Sequence, residues 1–195
     1  YLVDAKYVTS VDIYGEVFNI ISAEIDGVTA YLVENRTYFE RDSLYDCWDN
    51  DIQFSTFCEV VLISLEKIGF KPSVIHCNDW QTGVLPFFLK TRYAYNEFYK
   101  NIKTVFTIHN LRFQGHFGKR SLTHHHYPFN DEYVNFMKIG ISLDELLISK
   151  SLFVISLVFL CKLHRNRIAE TSANFSCEVF PALDYFIPDL FIQVI

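Results

Sequence analysis

The chain has 195 residues, enough for one domain with a sizeable core, and half of them are hydrophobic, with aromatics alone at 17%. That composition excludes a disordered chain. The formal net charge of −6 and the scattered lysines and arginines argue against a nucleic-acid footprint.

Residues 16–34, EVFNIISAEIDGVTAYLVE, are rich in β-branched and aromatic side chains and are interrupted at Asp26-Gly27, which predicts two strands joined in a hairpin. Residues 35–50 mix polar and aromatic side chains and read as a surface loop carrying Tyr38, Phe39, Tyr45 and Trp48. From Asp51 to Gly69 the apolar positions Ile52, Phe57, Val60, Val61, Leu65 and Ile68 fit a helical stripe, with Asp49 or Asn50 to cap it and Gly69 to end it.

Pro72 breaks the chain, and residues 73–77 (SVIHC) form a short apolar strand. Residues 80–94 read as helical despite Pro86, and residues 103–109 (KTVFTIH) as the next strand. Helix, strand, helix, strand is a βαβ order, which implies an α/β fold with parallel strands. Parallel strands joined by one crossover are usually neighbours, and ligands of such sheets bind beyond the carboxyl ends of the strands. The polar segments His76–Gln81 and His109–Gln114 are therefore expected on one rim, facing one crevice.

Beyond residue 143 the periodicity fades, and residues 144–195 are expected to be a divergent tail. Its run 152–161 (LFVISLVFLC) is too short to span a bilayer as a helix and reads as a buried strand or helix. The five cysteines, at 47, 58, 77, 161 and 177, are odd in number and show no CxxC spacing, as reduced core thiols of a cytosolic protein do.

Asp79 either caps the helix expected at Trp80 or binds hydroxyl groups at the rim through charge-assisted hydrogen bonds. Trp80 offers a face for sugar stacking, although a tryptophan in the core is the commoner case. His109 gains interest only from its expected closeness to Asp79. His124, His125 and His126 point in different directions along any backbone and lack a second ligand pair, so a solvated loop is favoured over a metal site. No GxGxxG, GxxxxGK[ST] or GxSxG occurs, which removes support for dinucleotide, P-loop and α/β-hydrolase readings.

The segments SVIHCNDWQTGVLPFFLKTRY and IKTVFTIHNLRFQGHF closely resemble the pattern DVVHCNDWQTG…P…LK followed by KTVFTIHNL, an aromatic residue and QG in the bacterial glycogen synthase and plant starch synthase family. AYLVENRTYFERDSLYD and NFMKIGISL resemble further segments of that family, in the same order, so the likeness covers roughly residues 15–143. It implies the Rossmann-like N-terminal half of a two-domain glycosyltransferase of GT-B type, with residues 1–143 as a partial catalytic domain. These enzymes move glucose from ADP-glucose to the non-reducing end of an α-1,4-glucan with retention, without a metal or other cofactor. By this resemblance Asp79 and His109 match catalytic positions, and Tyr45 an active-site tyrosine. Trp80, Gln81, Asn110 and Gln114 lie in the same matched motifs as candidate substrate-binding residues. A cytoplasmic location follows, or a plastid one if the source is a plant, with neither membrane nor nucleic acid as partner.

The chain departs from the family pattern in three respects. It lacks the Lys-x-Gly-Gly-Leu loop, it has Ile139 where the family has glycine, and it shows neither VNTVSPTYA after Leu143 nor a second domain. A fragment inactive by itself is therefore expected. The competing expectation is a non-catalytic glucan-binding or scaffold remnant.

Overall fold

The computed structural model describes residues 5–145 other than 26, 44, 46, 129 and 130, together with the backbone of 192–194. The expected tail 144–195 and its run 152–161 therefore lie almost wholly outside the described residues.

Three strands open the chain: β1 (Lys6–Ile13), β2 (Glu16–Ile25) and β3 (Val28–Glu34), antiparallel in that order. The hairpin expected over 16–34 is β2–β3, turning at Gly27 with φ +80°. Strand β1 escaped the sequence reading; a bulge between Tyr7 and Thr9 interrupts its two-residue alternation. It joins β2 through Tyr14-Gly15, both at positive φ (54° and 87°), the geometry of the tight two-residue turns that suit strand twist.

The segment expected as a surface loop holds a short helix, α1 (Arg36–Phe39), whose first turn is capped by Asn35 Oδ1 accepting the Tyr38 N–H at 3.0 Å. Tyr38 and Phe39 turn inward and pack with Val11, Phe18, Ile20 and Val60 beneath the first sheet, whereas Trp48 stays 82% exposed.

Helix α2 (Asn50–Lys67) falls where the stripe predicts, but it is buried on more than one side. Phe54, Cys58, Leu62 and Leu65, spaced four, four and three residues apart, face the main core, while Val60 and Ile63 face the first sheet. Asp49 precedes the helix without a capping side-chain bond. Gly69, at φ +71°, ends it as expected: its N–H reaches Glu66 O (3.1 Å) and the Phe70 N–H reaches Leu65 O (3.0 Å), the paired bonds of a left-handed C-terminal cap.

Strands β4 (Val74–Asn78) and β5 (Lys103–Thr107) are parallel neighbours, with Asn78 opposite Thr107. The strand β8 (Ile192–Val194) runs antiparallel on the other side of β4. The helix expected over 80–94 is divided into a 3₁₀ turn at Trp80–Thr82 and α3 (Leu85–Thr91). Pro86 sits at the α3 start, where its missing N–H costs nothing. A small antiparallel pair, β6 (His116–Gly118) and β7 (Tyr133–Asn135), flanks α4 (Arg120–Thr123) and leads into α5 (Phe136–Glu145). Helix α5 closes over the β4–β5 pair. Gly83 and Gly140 permit this, since a Cβ would meet Phe136 O at 2.2 Å in the first case and the Phe106 ring at 2.7 Å in the second.

Candidate functional site

The carboxyl ends of β4 and β5 stop together, and the ladder continues for one more rung as the Asp79 N–H donates to Thr107 O at 2.9 Å. The chain then turns sharply at Asp79, with φ 55° and ψ −174°. That region belongs almost exclusively to glycine, and an aspartate held there stores strain of about 1–3 kcal/mol. The side chain explains why it is tolerated. Asp79 is 7% exposed, and its Oδ1 accepts the backbone N–H of His109 at 2.7 Å and of Asn110 at 3.2 Å. The expected cap on the Trp80 helix is not made; the carboxylate ties the rim of β4 to the loop leaving β5 instead.

His109 is thereby held by its backbone, and its ring is held as well. Nε2 lies 2.9 Å from Asn78 Oδ1, while the neighbouring His76 Nε2 lies 2.7 Å from Thr107 Oγ1. His109 and Asn110 are exposed at this rim. The Asn110 side chain accepts the Arg112 N–H at 3.1 Å, which curls the loop back on itself. Gln114 closes the loop, donating to Leu111 O at 3.1 Å and accepting from Asn135 Nδ2 at 3.0 Å. The N–H groups of Phe136 and Met137, which open α5, donate to Gly115 O and Gln114 O. Asn135 Oδ1 caps the helix by accepting the Lys138 N–H at 2.8 Å.

Trp80 is 9% exposed and sits against Phe54, Phe117, Phe136 and Tyr45 at ring separations of 4.9–6.5 Å. Gly115, at φ +64°, presses on the same indole, where a Cβ would come within 2.7 Å. The tryptophan is a core residue that supports the rim, the commoner of the two cases that the sequence left open. Gln81, 3% exposed, donates to Tyr45 OH at 3.1 Å and leaves its Oε1 buried without a hydrogen-bond partner. Such an orphaned acceptor is costly unless a water or a ligand hydroxyl meets it. Tyr45 is half-buried beside it.

Thus Asp79, His109 and Asn110 come together, Trp80 and Gln81 lie directly behind them with Tyr45, and Gln114 anchors the loop end. The 350 Å³ cleft lined by Phe87, His116, Tyr133, Asn135, Lys138 and Ile139 opens elsewhere, on the α5 side, and includes none of the expected site residues. Ile139 is part of its wall.

Of the histidine triplet, His124 and His126 are exposed on a turn, as expected of a solvated loop, and only His125 departs from that expectation. His125 is fully buried, with Nδ1 2.5 Å from Glu59 and Nε2 2.8 Å from Ser55 Oγ. Burial, helped by the Arg92 charge, pushes its pKa down to about 3. Ser55 Oγ, which faces Nε2, donates its own hydrogen to Asp51 O at 2.6 Å, so the ring is enclosed by groups that are themselves tied to α2. Arg92 pairs with the same Glu59, bonds His125 O and reaches Tyr14 OH at 3.2 Å, pinning the β1–β2 turn to the body. No periodic signal joins residues this far apart in sequence. Among the described residues there is no group of three His, Cys, Asp or Glu side chains that would hold a metal, and no helix long and apolar enough to cross a membrane. Among the described cysteines, Cys58 and Cys77 are buried and Cys47 is half-buried, and burial raises the Cys58 pKa.

A family model described as the starch synthase catalytic domain matches residues 2–151. The chain belongs to that family. A glycogen synthase of Anoxybacillus flavithermus is 54% identical over 99 residues, covering 51% of this chain and 20% of its own length. A glycogen synthase of Desulforudis audaxviator is 38% identical over 171 residues, covering 76% of this chain and 34% of its own. Among solved structures, the catalytic domain of starch synthase IV from Arabidopsis thaliana, bound to ADP and acarbose, superposes with a TM-score of 0.60 at 24% identity, over 71% of this chain and 32% of that one. This chain accordingly spans about a fifth to a third of the curated relatives it matches, and shares the fold of part of a GT-B starch synthase catalytic domain.

Proposed function

We propose that this chain is the N-terminal part of a glycogen or starch synthase, one that moves glucose from ADP-glucose to the non-reducing 4-hydroxyl of an α-1,4-glucan with retention. The bond from glucose to diphosphate breaks through an oxocarbenium-like state, so the protein must supply position and charge stabilisation more than a covalent nucleophile. His109 holds a hydroxyl of the donor sugar at the exposed rim. Asp79 fixes the loop that carries it. Tyr45, Gln81 and Asn110 offer hydrogen-bonding groups to the sugars, and Gln114 keeps the loop closed. The diphosphate is left to cations of a second domain, so the chain by itself binds sugars without turning them over.

The observation that carries this reading is that Asp79 and His109, 30 residues apart in sequence, meet at one strand rim through a 2.7 Å hydrogen bond. The test is titration of the purified chain with maltoheptaose and with ADP-glucose, followed by backbone amide shifts. The expected perturbations cluster at residues 78–81 and 109–114 and shrink in His109→Ala. Perturbations confined to other surfaces would overturn the site, and ADP-glucose turnover by the chain alone would overturn the division of labour.

A further inference from the structure

The reading of His109 as a sugar-handling residue leaves open which of its ring nitrogens does the work, and the β4–β5 rim answers that. Side chains at alternate positions of a strand share one face. On β4 the residues are His76 and Asn78; on the β5 side they are Thr107 and His109. The register pairs His76 with Val105 and Asn78 with Thr107, so the two cross-strand side-chain bonds, His76 to Thr107 and Asn78 to His109, are each displaced two residues toward the carboxyl end. They form two rungs of one ladder, and the second rung ends at the His109 ring. The backbone of His109 is already fixed by Asp79. With its Cα anchored and its far ring nitrogen held, the imidazole has little freedom left to rotate.

We propose that Asn78 is a positioning residue whose side-chain carbonyl holds His109 as the Nε2–H tautomer, making Nδ1 the lone-pair atom offered to a hydroxyl of the sugar. An amide oxygen only accepts, so the nitrogen facing it must carry the hydrogen. The choice of asparagine has a chemical reason. A carboxylate at 78 would orient the ring equally well but would favour the imidazolium, which has no lone pair. The carboxylate that the sequence does provide, Asp79, spends Oδ1 on backbone N–H groups. Nothing in the spacing of the motif distinguishes Asn78 from its neighbours; only the strand register does.

The test uses the full 195-residue chain with ¹⁵N-labelled histidine. Two-bond ¹H–¹⁵N correlations at pH 8.5 report the tautomer of His109 directly. The wild type is expected to show protonated Nε2 and a lone pair at Nδ1. Asn78→Asp, which keeps an acceptor, retains that pattern; Asn78→Leu yields an averaged, mobile ring while amide shifts away from the rim stay put. On addition of ADP-glucose the Nδ1 resonance moves, and the apparent Kd rises about fivefold in Asn78→Leu, the value of one ordinary hydrogen bond. Protonated Nδ1 in the wild type, or a His109 ring indifferent to Asn78→Leu, overturns the proposal. A tautomer that obeys Asn78 without any response to ADP-glucose overturns the sugar-handling reading and the role of Asn78 with it, leaving the contact itself intact.

Discussion

Replacing Asp79 by alanine, glycine and asparagine separates the two forces that meet at this residue. Alanine deletes the acceptor of two backbone N–H groups at 2.7 and 3.2 Å but keeps a Cβ at φ 55°. Bonds to a charged acceptor are worth about 1.5–3 kcal/mol each when buried. His109 and Asn110 are exposed, so water recovers part of that, and we expect a loss of about 2 kcal/mol. Glycine deletes the same bonds and also removes the backbone strain of about 1–3 kcal/mol, against an entropy cost of about 0.5–1 kcal/mol in the unfolded chain. Asp79→Gly should therefore be more stable than Asp79→Ala by about 1 kcal/mol. Asparagine keeps an oxygen and carries the same Cβ, hence the same strain as aspartate, so its cost is the charge alone, about 1 kcal/mol. Urea unfolding followed by the fluorescence of the two tryptophans measures all three. An alanine variant within about 0.5 kcal/mol of wild type, or a glycine variant less stable than alanine, would refute the reasoning.

Two further outcomes follow from the core. His125, with a folded pKa lowered to about 3 by burial, stays neutral in the native state while the unfolded chain protonates it near its ordinary value. Its contribution is therefore intact above pH 6.5 and is lost as pH falls toward 3, by at most about 1.4 kcal/mol per pH unit; His125→Gln should flatten the slope of stability against pH over that window, and an unchanged slope would count against it. Gly83→Ala has no φ penalty, since φ is −63°, but its Cβ would lie 2.2 Å from Phe136 O. The N-terminus of α5 must shift, at a cost of about 1–3 kcal/mol or more, read as a lower urea midpoint.

Several features were legible because they are local. The β2–β3 hairpin followed from β-branched residues around Asp26-Gly27, and the end of α2 from Gly69, since only a residue without a Cβ sits easily at φ +71°. The parallel pairing of β4 and β5, and hence the common rim of Asp79 and His109, followed from two apolar runs separated by a helical one. The alternation of β1 is interrupted by the bulge between Tyr7 and Thr9, which leaves Tyr7 and Val8 both exposed, so no regular period of two marked the strand. The helix expected over 80–94 was divided because Asp79 is tied to the loop after β5 and the chain leaves it in a 3₁₀ turn, so that α3 starts only at Leu85-Pro86.

The sequence by itself determined which segments extend, which coil and which polar residues stand at the strand ends, because hydrophobic period, glycine and proline act over a few residues. Only the tertiary structure decided what those residues hold. It made Asp79 a clamp on the next loop in place of a helix cap, placed Trp80 among core rings, and took His125 from a solvated side chain into the buried partner of Glu59. It also put Asn78 against His109. Each of these is a pairing across 30 or more residues, and such pairings are chosen by strand register and close packing, to which no local pattern in the chain corresponds.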